Sequence, residues 1–369
     1  MVLNAKENDR RMNITFLIGN GFDLNLGLST KYEHFLKEYV RSESENYVIE
    51  RFKQNILEES DSWASAEEAF GKYTAKYYTN GAIVFCNCHE DFCEKLARYL
   101  QEEESWLQLD ETDETSVKKF AAAISFPNFI QGFREVQQQE IQQVVAAHDG
   151  GFVYNFINFN YTTTLDQYLE AVNNTPGLFA LRKYRGTSYS SGIGQCIHVH
   201  GTTSSDMVLG VNDETQIAAP EIFSEVGEEY KYQIIKQKTN EMNEQNVDTK
   251  TATLLAQSQL IYIYGMSLGR TDALWWNRII DLMLKNQNLH VIIHCFDGPK
   301  DTLIQRRIQT FNREMKRAFL SYSNQEQNRL EELGNRIHID RTNIFASLKD
   351  VAKKRTPSIE EVEKMLAEI

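Results

Sequence analysis

The sequence predicts an α/β protein built on an open parallel sheet and interrupted by large helical insertions. Three observations lead there. Short apolar runs of strand length recur along the chain, as NITFLIG at 13–19, FVYNFIN at 152–158, LIYIY at 260–264 and LHVIIHCF at 289–296. Runs that are apolar throughout, rather than alternating with polar residues, are those of strands buried on both faces. Each is followed by a glycine or polar loop and then a stretch with helical spacing. Strands alternating with helices imply a parallel sheet covered on both faces.

Each element follows in order. The first strand, 13–19, runs into the loop GNGFDLNLGLS. Thr30 and Glu33 then have the spacing of a capping box, in which hydroxyl and carboxylate satisfy amides at a helix start. From about 40 to 148 the pattern is helical. SWASAEEAFGKYTAKYY, HEDFCEKLARYLQEEE and FIQGFREVQQQEIQQVVAAH carry apolar residues three and four apart. The acidic stretch 110–114 separates two of these pieces. The strand at 152–158 leads to FNYTTTLDQYLEAV, a threonine cap and a helix. Residues 174–195 read as a loop, and 196–200 (CIHVH) and 207–211 (MVLGV) as strands. A polar helical stretch, 219–256, precedes the strand at 260–264 and a helix over 272–286. A strand at 289–296, a helix near 302–320 and a last strand at 336–340 complete the sheet. The expected organisation is therefore an N-terminal extension, 1–12, a Rossmann-like domain, 13–350, with insertions at about 45–150 and 215–257, and a helical tail, 351–369.

Composition narrows the function. The chain has 369 residues, 41% hydrophobic and 25% charged, as an ordinary globular protein has. A formal net charge of −13 argues against broad nucleic-acid binding, which needs clustered Lys and Arg. No apolar run approaches the roughly 20 residues that span a bilayer, and the polar start MVLNAKENDRRMN lacks a signal-peptide core. Five cysteines, an odd and sparse set, suggest a reducing, cytoplasmic setting. The cluster Cys86, Cys88, His89 and Cys93 fits no common zinc spacing. Cys93 lies in an amphipathic helical pattern, so buried thiols are expected there and no metal is predicted.

In an open parallel sheet, ligands bind beyond the carboxyl ends of the strands, so the loops after strands are the candidates. The first is Gly19-Asn20-Gly21-Phe22-Asp23. Its glycines permit a tight turn and close approach of a ligand to backbone amides. Leu24 stands where a G-x-G-x-x-G pattern would have its third glycine, so a structural turn and a phosphate cradle both fit. Asp23 would repel a phosphate; ribose hydroxyls or a loop cap suit it better. The second, at 158–164, carries Asn160, a turn former or a functional amide. The third is His198-Val199-His200-Gly201. Residues two apart on a strand share a face, so both imidazoles are expected on one side, as a general base near neutral pH or the start of a metal site lacking a third ligand.

Taken together, LIGNGFDLNLGLSTKYEHF, the region from Trp63 to Glu68, FNYTTTLD, IHVHG with VLGV, and IYGMSLGRTDALWW resemble the AbiH family, bacterial abortive-infection proteins of antiphage defence. The matching pieces span roughly residues 14–276. The layout is also similar to the sirtuin-like (DHS-like) fold, whose prokaryotic defence members cleave NAD. The resemblance implies that Asn160 positions ribose or water and that His200 is the base. Gly19, Asn20, Gly21, Phe22, Tyr161, Thr162, His198, Gly201, Gly265, Ser267, Leu268 and Asp272 would then surround the nucleotide. Cleaving the nicotinamide–ribose bond develops positive charge on the sugar, which an Asp23 carboxylate would favour. The sequence departs from that pattern at Asn20 and Asp23, and Thr162 replaces the aspartate of an N-Y-D motif. The implied partners are a nucleotide and a phage-derived trigger or partner defence protein, with a homo-oligomer and no membrane.

Two other readings stay open. GMSLG at 265–269 has the spacing of a nucleophile elbow, which would make Ser267 a serine-hydrolase nucleophile, with Asp297 and His338 as later partners. A non-catalytic nucleotide sensor, its helical insertions contacting a phage or host protein, is the third. Trp275 and Trp276 are read as packing residues.

Overall fold

The computed structural model describes residues 11–351 apart from 60–62, 64, 78–80, 108, 110–113, 225, 244–245, 297–303, 324 and 350. Nearly all of the N-terminal extension and the tail, most of the acidic stretch and Asp297 lie outside the described residues.

Six strands form one parallel sheet: β1 (Met12–Ile18), β2 (Phe152–Asn158), β5 (Gly192–His198), β6 (Leu260–Tyr264), β7 (His290–His294) and β8 (Ile337–Asp340). Their order is β5-β2-β1-β6-β7-β8, and every pairing is parallel. The chain grows outward from β1 in one direction, then returns to β1's other side with β6. Side chains alternate across the sheet. Ile14, Phe16, Tyr154, Phe156 and Tyr262 enter one core, and Leu17, Ile157, Ile261, Ile263 and Val291 enter another.

The first core is covered by α6 (Glu114–Ile124), α7 (Glu135–Ala146) and α8 (Thr164–Asn174). The second is covered by α11 (Val247–Ala256), α12 (Ala273–Lys285), α13 (Gln305–Leu320) and α14 (Gln327–Leu333). Trp275 and Trp276 are buried in that second core as packing residues.

The insertions divide differently from the expectation. Helices α6 and α7 belong to the sheet, because their apolar faces cover it. Helices α2 (Tyr32–Tyr39), α3 (Tyr47–Glu58), α4 (Ala66–Tyr73) and α5 (Ala82–Ser105) build a third core. Leu209, Val211, Ile222, Phe223, Ile234 and Ile235, most of them from the second insertion, complete that core. Parts of the two insertions thus form one helical body, which also includes α9 (Glu228–Tyr232) and α10 (Lys236–Met242).

Other local expectations are corrected. Residues 207–211 do not form a strand; their apolar side chains fill the third core, and Val211 alone pairs, with Ile235. The loop at 174–195 contains a short hairpin, β3 (Arg182–Tyr184) with β4 (Thr187–Tyr189), and β5 starts at Gly192. Thr30 does not cap α2. Its hydroxyl donates to Asn20 Oδ1 (2.5 Å), and Glu33 pairs with Lys37. The threonines at the start of α8 do not cap it with their hydroxyls; Glu104 accepts the Thr163 amide instead, at 3.0 Å. Cys86, Cys88, His89 and Cys93 all lie on α5. His89 bonds the Leu209 carbonyl, and burial pushes its pKa down to about 4.

Candidate functional site

The carboxyl ends of β5, β2, β1 and β6 are stitched together by backbone bonds. Val199 donates to Asn158 O, Phe159 to Ile18 O and Gly19 to Tyr264 O. This brings the four motif loops into one row. At its centre the loops after β1 and β6 lie backbone on backbone. Gly21 donates to Gly265 O, and a Cβ on Gly21 would stand 2.4 Å from Gly265 Cα. The glycines are therefore used by each other, which accounts for them without a phosphate. Asn20 closes the same loop, its amide donating to Thr30 O. Phe22, expected beside a nucleotide, is fully buried in the first core against Phe120, Tyr168 and Phe345, and does not face the row.

Asp23 is 1% exposed on α1 (Gly21–Leu26). Its two oxygens accept the hydroxyls of Thr162 (2.6 Å) and Thr164 (2.5 Å). Burial pushes its pKa up to about 6, and the threonine bonds offset part of that. The carboxyl thus pins the loop after β2, in which Asn158 Oδ1 accepts the Asn160 amide at 3.0 Å. The side-chain nitrogen of Asn158 is buried without a hydrogen-bond partner, whereas that of Asn160, also buried, turns toward the Asp23 carboxyl and favours its ionised form. Buried polar groups are normally bonded, so the Asn158 nitrogen is the exception in this loop.

The two histidines do not share partners. His198 Nε2 meets Asp166 Oδ2 (2.9 Å) on α8, and its Nδ1 meets the Asn160 carbonyl (3.3 Å). His200 lies past the end of β5, where Gly201 turns the chain with φ +67°. Its Nε2 meets Asp272 Oδ1 at 3.0 Å, while its Nδ1 is buried without a partner.

Asp272 also holds Lys236, at 2.9 Å, and Lys236 holds Glu67, at 2.9 Å. Lys236 is 5% exposed, and the Thr271 carbonyl lies 3.3 Å from its ammonium. Asp272 and Glu67 accept two of its three protons, and the third faces both the Thr271 carbonyl and His200 Nε2, each at 3.3 Å. With that third proton on Thr271, His200 donates Nε2–H to Asp272 and its unpartnered Nδ1 carries a lone pair. A carboxylate that fixes an imidazole tautomer in this way prepares the opposite nitrogen as a base. Burial opposes ionisation of Asp272, but Lys236 and the His200 bond outweigh it and hold the carboxyl far below its usual range. Burial likewise opposes the Lys236 charge, and Asp272 and Glu67 outweigh that too. Tyr161 adds a bond to Glu67 Oε1 at 3.3 Å.

Lys236 and Glu67 come from the helical body, on α10 and α4, and form a roof over His200. Neither was singled out as a site residue, because no local motif marks a lysine whose partners lie at positions 67 and 272. A narrow recess beside them is lined by His200, Lys236, Asn240, Asp248 and Trp275, among others. A larger hollow of about 280 Å³ lies over Gln195 and α11, but none of the motif residues lines it.

Ser267 is exposed on the turn after β6, and Leu268 beside it has φ +53°. The histidine expected to serve it does not. His338 is 1% exposed within β8, bonded to His290 at 3.0 Å, with burial pushing its pKa down to about 3. His290 opens β7, so this pair sits toward the amino end of the sheet, away from Ser267. Among the described residues, the expected histidine gives Ser267 no base.

No helix among the described residues is long and apolar enough to cross a membrane. No curated protein and no solved structure matches the chain. Its family, however, is shown: residues 15–294, from β1 through β7 and including every loop of the row, match the family described as Bacteriophage abortive infection AbiH, and the chain belongs to that family.

Proposed function

We propose that the protein acts in abortive infection against bacteriophage by cleaving the nicotinamide–ribose bond of NAD at the row of strand ends. The family description supports the first part. The observation that carries the second is the pair of buried, unpartnered nitrogens His200 Nδ1 and Asn158 Nδ2 beside the Asn160 amide. With Nε2–H given to Asp272, the histidine nitrogen is an acceptor and the Asn158 amide a donor, which suits a ribose and the water that attacks it. The strand order supports a dinucleotide. Numbered along the chain it reads 3-2-1-4-5-6, and in sheets of that order the ligand lies where the order reverses. Here that is between β1 and β6; Asn158 and Asn160 follow β2, beside β1, and His200 follows the edge strand β5 and meets Asp272 from the β6 side.

In the proposed step, water attacks the ribose carbon, and its proton passes to His200 Nδ1. The bond to nicotinamide breaks with its electron pair going to the ring nitrogen, which leaves neutral nicotinamide and ADP-ribose. Asp272 stabilises the imidazolium. Asp23 acts as a positioning residue through Thr162 and Thr164, since both of its oxygens are engaged there. The glycine loops are filled by their own contact, so the reading rests on the ribose end and not on a phosphate cradle. The narrow recess requires the roof of α4 and α10 to lift for entry, the step at which a phage trigger would act.

The test is nicotinamide release in phage-infected cells expressing wild type or His200→Ala. A base of this kind contributes about 10²–10⁴-fold, so release by wild type and its loss in the variant are expected. Protection by wild type with NAD intact would overturn the cleavage reading. Protection by the His200→Ala protein as well would favour the non-catalytic sensor.

A further inference from the structure

We propose that Asp166, Cys196 and His198 form a binding site for a zinc-class divalent ion at the edge of the sheet. The chain brings them together by two separate routes. Cys196 and His198 are two apart on β5 and so share a face, and Asp166 lies in the first turn of α8. One ligand atom from each falls within 4.8 Å of the others. A tetrahedral zinc with the usual bond lengths separates its ligands by roughly 3.3–3.8 Å, so small side-chain rotations close the set.

The donor set is sulfur, nitrogen and oxygen, the mixture that suits a borderline-soft ion such as zinc. Thiolate and carboxylate together would neutralise a dipositive charge. A second observation points the same way. His198 commits Nδ1 to the Asn160 carbonyl and turns Nε2 toward Asp166. Ligating histidines are oriented in this manner, one ring nitrogen held by a carbonyl and the other on the metal. Asp166 is 38% exposed at its side chain and His198 15%, which leaves a path for the ion and for a fourth ligand from water.

Binding releases the thiol proton of Cys196 and any proton on His198 Nε2, and forms three bonds to the ion. The ion would tie the start of α8 to the end of β5 and, through the Asn160 carbonyl, hold the loop after β2. The site stands apart from the NAD reading, and its test reads metal, not cleavage.

The experiment is titration of chelator-treated full-length protein with Co²⁺ as a spectroscopic probe, followed by displacement with Zn²⁺. One equivalent is expected, with a near-ultraviolet thiolate-to-cobalt band that zinc abolishes. Cys196→Ser should lose that band, and Asp166→Asn should weaken binding at least tenfold. The double variant Cys86→Ser/Cys93→Ser should keep the band, which separates this site from the thiols on α5. Circular dichroism checks folding, and Asp166→Asn carries the test should Cys196→Ser fail to fold. Absence of the band in wild type, or its survival in folded Cys196→Ser, would overturn the proposal.

Discussion

At the scale of single residues, Asp23 shows how burial turns a sequence signal to a different use. A carboxylate beside two glycines reads as a ribose or charge-stabilising group. In the fold it is enclosed, and it joins α1 to the loop after β2 through two threonine hydroxyls. Its pKa rises from 3.8 to about 6, with burial as the main cause. The folded state therefore holds this proton more tightly than the unfolded chain does. The resulting stability is fully present below about pH 4 and is lost as the pH rises through 6. That difference in proton affinity corresponds to about 3 kcal/mol. Asp23→Asn cannot titrate, so the stability of wild type relative to the variant should fall by about that amount between pH 4 and pH 7. Urea unfolding of both proteins at each pH measures it, and other titrating groups cancel in the difference. A flat difference would mean that the buried carboxyl is solvated well enough to ionise freely.

At the scale of elements, the glycines of the first loop separate two explanations that the sequence alone left equal. Gly21 needs glycine because of space, since a Cβ there would stand 2.4 Å from Gly265 Cα. Gly334 offers the contrast, as nothing lies within 4 Å of a Cβ added there, and its φ of −54° suits any residue. Gly21→Ala should cost about 1–3 kcal/mol through overpacking, whereas Gly334→Ala should be neutral or slightly stabilising. Shifts in the urea midpoint at constant slope measure both, and equal shifts would show that the two loops separate easily. The strands β1, β2, β6 and β7 were legible because each is an apolar run bounded by loops, whereas β5, GIGQCIH, is an edge strand with few apolar residues and its first half read as loop. The hairpin at β3 and β4 was not, because RKY and TSY are short and polar and carry no alternation. The segment 207–211 misled for the opposite reason. It is apolar and strand-sized, but a short apolar run does not tell which core will take it, and this one fills the helical body. Likewise the loops of the candidate site were visible as motifs, but their hydrogen-bond partners were not. Thr163, which looks like a cap, is held by Glu104 from 59 residues away.

At the scale of the whole molecule, the question is what holds the helical body on the sheet. The apolar third core belongs mostly to the body itself and to the segment 209–235 that completes it. The buried ionic tie among its polar contacts is Lys236, which bridges Glu67 on α4 to Asp272 at the start of α12. Nothing near position 236 in the sequence marks this role, since a buried lysine becomes recognisable only once its two carboxylates, 169 and 36 residues away, are in place. Its burial is favourable only as part of the set. Removing one partner of a buried ion pair leaves an uncompensated charge and typically costs about 3–5 kcal/mol. Lys236→Met keeps most of the side-chain volume but sets Glu67 and Asp272 together without a cation. It should destabilise the protein by about that amount. The amides of α4 and α10 should exchange with solvent faster while those of β1 and β6 stay protected, as local opening of the roof requires. Adding Glu67→Gln removes one of the stranded charges and should restore part of the loss, a non-additivity expected of groups in contact. A Lys236→Met protein within 1 kcal/mol of wild type, with unchanged exchange in α4 and α10, would show that the roof is seated without this ion cluster. The ion cluster would then serve only to orient His200.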